Sequence, residues 1–243
     1  MRALGVAVER GLKPYVVCTN PRSGSSLLCR GLSDCGAGRP REWFNRKFRK
    51  DAQPGAPLAE YVDYVLDTGL SNGVFGVKLH FFQMLELRAE CGGPWIPRLE
   101  RLFSEARFIW LRRRNVERQA ISYYRAGASG EWWRTDKGPF GYSGVCCAPY
   151  DPVSFDATAI QNRERSILKG DKGWQQMFLA NANRPLEVFY EDFIVDYAGT
   201  LRHITEWLGL DPGIDIPDPV MKRQSDEVTE DWLLRYLSFK AAA

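Results

Sequence analysis

Residues 15–28 read YVVCTNPRSGSSLL, and this stretch decides the fold. The strand formers Tyr15, Val16 and Val17 run into Asn20-Pro21, where a strand must stop. Arg22, Ser23, Gly24, Ser25 and Ser26 form a tight loop, and apolar residues then recur at helical spacing. Such a strand, loop and helix N-terminus aim several backbone N–H groups at one spot, with the positive end of the helix dipole behind them. One arginine and three hydroxyls complete a loop suited to phosphate or sulfate. It lacks the Gly-Lys-Ser/Thr through which nucleoside triphosphatases reach the terminal phosphates and hold Mg²⁺. The loop therefore reads as anion-binding without triphosphate hydrolysis. The bland alternative is an ordinary turn capped by Ser25.

Outward from this loop, strand and helix patterns alternate. A first helix covers about 25–35. Residues 36–57 are polar and rich in Gly, Pro and Arg, and read as a long loop with a short ordered piece at Glu42-Trp43-Phe44; long loops in compact domains are usually functional. Helical spacing returns over 58–70. GVFGVKL (73–79) is a buried strand, helices begin near 82 and 95, and RFIWL (107–111) is another strand. A helix over 116–125 leads to a Gly-rich loop, 127–149. One long helix (155–181), a strand (186–190), a helix (198–208) and a last helix (227–239) complete the chain. Strands joined by helices make a parallel sheet with crossover connections. In such sheets ligands sit at the carboxyl ends of the strands. The loop at 20–26, the residues after Lys78 and the arginines after Leu111 all follow strands, so they fall on one sheet edge.

The chain has 243 residues, of which 44% are hydrophobic, which suits a single α/β domain (1–243) with a full core. No apolar run approaches the roughly 20 residues of a membrane span. The opening MRALGVAVERGLK has no apolar h-region and no cleavage site, so a cytoplasmic location is expected. The six cysteines (Cys18, Cys29, Cys35, Cys91, Cys146, Cys147) form no CxxC pair, and neither a metal site nor a disulfide framework is indicated. A net charge of +3 is too small to make a nucleic-acid binder the first reading. Arginine outnumbers lysine, 24 to 9, and arginine is preferred where phosphate is gripped bidentately. A GC-rich genome gives the same bias, so position decides.

A second anion site is read from IWLRRRNVERQAISYYRA (109–126). The strand ends in Arg112, Arg113 and Arg114, and Ser122 lies about two and a half helical turns on from Arg113. A helix folding back beside the strand end would let Arg113 and Ser122 converge on one phosphate. A solvated arginine cluster is the alternative. Paired with the loop at 20–26, the two sites suit a ligand with two separated anionic groups.

At these residues the chain resembles the bacterial carbohydrate sulfotransferases typified by mycobacterial trehalose 2-sulfotransferase, to which lipopolysaccharide and Nod-factor sulfotransferases are related. NPRSGSSLL (20–28) is similar to the family's loop around the 5′-phosphosulfate of the donor, 3′-phosphoadenosine-5′-phosphosulfate. RRRNVERQAISYYRA (112–126) is similar to its 3′-phosphate segment, with Arg113 and Ser122 at the matching positions and Arg114 as the alternative register. PREWF (40–44), GVFGVKL (73–79) and MKRQSDEVTEDWLLRY (221–236) follow in family order. The resemblance implies a P-loop-like three-layer fold, with a central mostly parallel sheet flanked by helices. It also implies sulfuryl transfer to a hydroxyl of a carbohydrate or glycolipid, with no metal.

It further implies roles. Arg22, Ser23, Gly24, Ser25 and Ser26 hold the phosphosulfate, Arg113 and Ser122 the 3′-phosphate, and Arg223 and Gln224 lie near the nucleotide. Glu42 is the candidate base, outside both anion sites; an apolar setting beside Trp43 and Phe44 would raise its pKa usefully. His80 is the rival base, one of two histidines in the chain. Lys78 reaches the bridging oxygen or simply pairs with an acid. Trp43, Trp132 and Trp133 are candidate acceptor contacts, Trp132 and Trp133 for stacking on a sugar or as a hydrophobic plug, and loops 36–57 and 127–149 face the acceptor. The reading allows a homodimer. The competing functions are a degenerate nucleotide kinase, which needs a loop lysine and a magnesium acid, and a non-catalytic binder of sulfated or phosphorylated ligands, which has no use for Glu42.

Overall fold

β1 (Lys13–Thr19) is the central strand of a five-stranded sheet. The computed structural model describes residues 13–132, 153–211, 213, 215–219 and 226–242. After β1 come α1 (Ser25–Asp34), α2 (Arg46–Ala52), α3 (Leu58–Gly69), β2 (Leu70–Ser71) and β3 (Val74–His80). Next are α4 (Phe81–Glu90), α5 (Pro97–Glu105), β4 (Arg107–Arg112), α6 (Val116–Ser129) and α7 (Ala157–Ala180). The chain then forms β5 (Leu186–Phe189), α8 (Tyr190–Val195), α9 (Tyr197–Trp207) and α10 (Glu227–Ala241).

The sheet order is β2-β3-β1-β4-β5, parallel except for the β2–β3 hairpin. From β1 the chain builds one side of the sheet through β3, then crosses to the other side at β4. The carboxyl end of β1 is thus a topological switch point, where the flanking connections diverge and leave a crevice. The loop at 20–24 sits in it.

Both faces of the sheet are covered, and alternation along the strands sorts the core. Val16, Cys18, Phe75, Val77, Leu79, Phe108 and Trp110 pack against α3, α4, α5 and α7. Tyr15, Val17, Val74, Ile109, Leu111 and Val188 pack against α1, α8 and α9. By the same period of two, Lys78 and His80 fall on the α1 face with Val74. A third cluster joins α6, α7 and α10 through Ile121, Ile160, Ile167, Trp232 and Tyr236. The α/β fold expected from the sequence is therefore present: a mostly parallel central sheet flanked by helices.

Three local readings are corrected. The segment 36–57 is not all loop: α2 lies in it, started by Asn45, whose Oδ1 accepts from Lys47 N at 3.0 Å. Strand pairing at 186–190 stops at Phe189, and the helical α8 follows directly. The two-residue β2 was hidden in the end of a helical pattern. Asn72 and Gly73 take φ of 51° and 72°, which is the Asn-Gly hairpin turn whose twist suits antiparallel strands.

Candidate active site

The loop at 20–24, the candidate anion site, is built by its own backbone and by buried hydroxyls. Arg22 and Gly24 both have positive φ, 65° and 88°. Gly24 occupies the N-cap position of α1, and no side chain caps that helix, so the Ser25-capped turn is not what forms. The first-turn N–H groups therefore have no side-chain cap. Beneath the loop, Ser23 Oγ and Thr19 Oγ1 are 2.5 Å apart, and Thr19 Oγ1 donates to Leu111 O at 3.0 Å. Gln119, on α6, donates to Pro21 O at 2.8 Å. Asn20 donates to Asp171 Oδ1 at 2.7 Å, tying the start of the loop to α7. A methyl at Gly24 would lie 2.3 Å from Tyr190 Cδ2, so the Tyr190 ring closes one side of the loop.

The two anion sites read from the sequence come together. Arg22 Nε donates to Ser122 Oγ at 2.9 Å, and Arg22 also donates to the carbonyl of Trp132. Arg113 Nη1 donates to Arg22 O at 3.2 Å, and its guanidinium lies 4.3 Å from the Tyr190 ring centroid. Arg114 turns outward and grips Asp192 with two hydrogen bonds of 2.6 Å. Of the two registers, Arg113 is the one at the loop.

Beside this cluster lies an acid–base constellation. Arg41 forms an isolated parallel bridge to Val77, and Lys78 N donates to Arg41 O at 2.8 Å. That pairing lays Glu42 beside Lys78. Glu42 Oε1 is 2.8 Å from Lys78 Nζ and 3.4 Å from His80 Nε2. Glu42 Oε2 accepts from Gln83 Nε2 at 2.8 Å and from Asn45 Nδ2 at 3.1 Å. Glu42 and His80, the two candidate bases, are thus contact neighbours.

The expected rise of the Glu42 pKa is overturned. Burial does push its carboxyl up, but the charges and hydrogen bonds of Lys78 and His80 outweigh it and hold the group well below its usual range. The sequence placed Glu42 next to aromatics; it could not place a buried ammonium there. Lys78 pairs with an acid, as one of its two readings had it. His80 is the N-cap residue of α4, with its N–H donating to Gln83 Oε1 at 3.0 Å and its ring stacked on Phe82. Its Nδ1 is buried with no hydrogen-bond partner among the described residues.

Trp43 is a correction among the acceptor contacts. It is 1% exposed, bonds Arg39 O through Nε1 and packs edge-on against Phe48. An indole this deep in the core presents no face to an acceptor. Trp132 is half-buried against Tyr123 at the rim of the loop. Trp133, Arg223 and Gln224 lie outside the described residues, as does most of 127–149. Among the described residues no cluster of three His, Cys, Asp or Glu could hold a metal ion, and no helix is long and apolar enough to cross a membrane.

Several residues at the site escaped sequence reasoning. Gln83, three residues after the strand-end His80, carried a helix-start spacing that could have drawn notice. Asn45 carried only the signal of a helix cap, and Gln119 and Asp171 carried none. Arg125 grips Asp226 with bonds of 2.6 and 2.9 Å, fastening the start of α10 to the helix that carries Ser122.

Comparison with known proteins bears on the family and the fold. The Stf0 sulphotransferase family model matches residues 14–238. The chain is 25% identical over 266 residues to a trehalose 2-sulfotransferase of Mycobacterium tuberculosis, covering 94% of this chain and 96% of the relative. It is 26% identical over 264 residues to that of Mycolicibacterium smegmatis, covering 91% and 93%. A sulfotransferase from Alicyclobacillus acidocaldarius superposes with a TM-score of 0.56 at 14% identity, over 95% of this chain and 93% of that one. At that identity the likeness concerns the fold alone.

Proposed function

Because the chain belongs to the Stf0 sulphotransferase family, we propose that it transfers a sulfuryl group from 3′-phosphoadenosine-5′-phosphosulfate to a hydroxyl of a carbohydrate or glycolipid. The observation that carries the reading is the β1–β3 register, which pairs Val17 with Lys78 and Thr19 with His80 and so sets the Glu42–Lys78 pair at the sheet edge that leads into the loop where Arg22, Arg113 and Ser122 converge. The residues present fit such a donor: an uncapped helix N-terminus, two arginines and several hydroxyls suit anionic groups.

The donor supplies an activated sulfuryl group on a good leaving phosphate. The loop N–H groups of 22–26 and Arg22 hold the phosphosulfate and stabilise charge on the leaving phosphate. Arg113 and Ser122 hold the 3′-phosphate and fix its register. Glu42 accepts the proton of the acceptor hydroxyl as that oxygen attacks sulfur in line, and Lys78 faces the bridging oxygen. His80 contacts the same carboxylate oxygen as Lys78 and steadies it. Trp132, at the rim of the loop, is an acceptor contact. The transferred group carries less charge than a phosphoryl group, so Arg22, Lys78 and the loop dipoles suffice without a metal.

Isothermal titration tests the donor class. Adenosine 3′,5′-bisphosphate should bind and ATP should not compete for its site at equal concentration. Preference for ATP with a strict magnesium requirement would turn the reading toward a kinase. Donor binding without label transfer to any carbohydrate hydroxyl would turn it toward a binding protein.

A further inference from the structure

The base proposed above is fully engaged. A carboxylate offers about four lone-pair sites. Here Gln83 and Asn45 donate to Oε2, while Lys78 and His80 contact Oε1. On Oε1 an acceptor hydroxyl competes with the Lys78 ammonium, so the acid acts at full strength there only once that partner leaves.

Three of the four are fixed. Gln83 is buried, and its other amide atom accepts from His80 N. Asn45 is held by capping α2. His80 sits at the junction of β3 and α4, stacked on Phe82. Lys78 differs. Its ammonium ends a flexible four-carbon stem, and Glu42 is its ion-pair partner among the described residues. Strand alternation puts it on the face that carries α1, whose N-terminus completes the anion loop. Its charge is felt there: burial pushes the Cys29 thiol of α1 up to about 12, while Lys78 draws it down and Glu42 adds to the rise.

We propose that Glu42 holds Lys78 in the free enzyme and that the bound donor draws Lys78 away, which opens Glu42 Oε1 for the acceptor hydroxyl. This rests on the sulfotransferase reading and adds to it an order of events, donor before acceptor. Lys78 then faces the phosphosulfate. The acceptor O–H proton passes to Glu42 Oε1, the acceptor oxygen–sulfur bond forms, and the sulfur–bridging oxygen bond breaks with its electron pair retained by the leaving phosphate. The same ammonium that silenced the base now faces the charge that develops on that phosphate. One lysine thereby couples donor occupancy to base strength, and a hydroxyl or water entering first must compete with that ammonium for Oε1.

The test is calorimetry with 3′-phosphoadenosine-5′-phosphosulfate in the absence of acceptor. Glu42→Gln removes the competitor for Lys78, so it should bind the donor about tenfold more tightly than the wild-type protein, within the range of coupling between interacting sites. Lys78→Met and Lys78→Met/Glu42→Gln should bind it equally. If Glu42→Gln does not fold, Glu42→Asp, whose carboxylate is drawn back by one methylene, should still bind several-fold more tightly than wild type. Unchanged or weaker binding by the folded Glu42 variants overturns the coupling, as does a gain that persists without Lys78. Failure of the wild-type protein to bind the donor at all is a different result, which removes the sulfotransferase reading itself.

Discussion

Arg22 and Ser122 stand 100 positions apart in sequence and are joined by a hydrogen bond of 2.9 Å. The bond makes the loop after β1 and the helix after β4 two walls of one site, with Arg113 bridging them through the Arg22 carbonyl. It follows from β1 and β4 being adjacent parallel strands, whose carboxyl ends emerge side by side.

That contact predicts coupling. Arg22→Ala and Arg113→Ala should each weaken binding of adenosine 3′,5′-bisphosphate by about 1.5–3 kcal/mol, the range for hydrogen bonds to charged groups. Because Arg22 touches Ser122, the Arg22→Ala/Ser122→Ala double variant should lose less than the sum of the single losses, by about 0.5 kcal/mol or more. Arg114→Ala, whose partner Asp192 faces solvent, should bind like wild type. Strict additivity, with Arg114→Ala as damaging as Arg113→Ala, would place the 3′-phosphate elsewhere.

Glu42 predicts a pH profile. Its carboxyl lies well below the ordinary glutamate value in the free protein, after burial is outweighed by Lys78 and His80. The kcat/KM profile reports the free enzyme, so the acid limb belonging to Glu42 should fall below about pH 4.3. Glu42→Gln should lower kcat by roughly 10²–10⁴, the usual worth of a general base. Loss of kcat in His80→Asn, with Glu42→Gln near wild-type kcat, would make His80 the base.

Asp226 predicts a stability difference with pH. Its carboxyl is held below the usual range, first by the Arg125 hydrogen bonds and then by Thr229. A folded value below the unfolded one means stabilisation present above about pH 4 and lost as the pH falls through the folded value. Asp226→Asn keeps the helix cap but loses the ion pair, and should cost up to about 1 kcal/mol at pH 7. Asp226→Ala should cost about 1 kcal/mol more, because Asp226 also accepts from Thr229 N at 3.0 Å as the N-cap of α10. Urea unfolding at pH 7 and pH 3 checks both; a gap between wild type and Asp226→Asn that widens in acid contradicts the sign.

Gly24 predicts a steric and conformational loss. Gly24→Ala places a side chain at φ 88° and a Cβ 2.3 Å from Tyr190 Cδ2, so it should destabilise by about 1–3 kcal/mol and weaken bisphosphate binding. Adding Tyr190→Ala relieves the collision but not the backbone strain, and should recover part of the loss in thermal unfolding. Wild-type stability and affinity in Gly24→Ala alone would mean that the loop tolerates another shape.

The sequence by itself determined the strand, loop and helix at 15–28, the parallel α/β order and the identity of most charged groups at the site. These follow from periodicity, turn chemistry and the residues that interrupt them, all local. It also carried an Asn-Gly turn at 72–73, whose Gly73 was read as the start of a strand, and an Asn45 cap inside a stretch read as loop. Tertiary structure decided the rest. Strand order set which side chains meet: Arg22 with Ser122, Glu42 with Lys78 and His80, and Trp43 with the core instead of the acceptor. The Glu42 shift expected upward from its aromatic neighbours runs downward instead, because burial and a neighbouring ammonium push a carboxyl opposite ways, and only the fold fixes how near that ammonium lies.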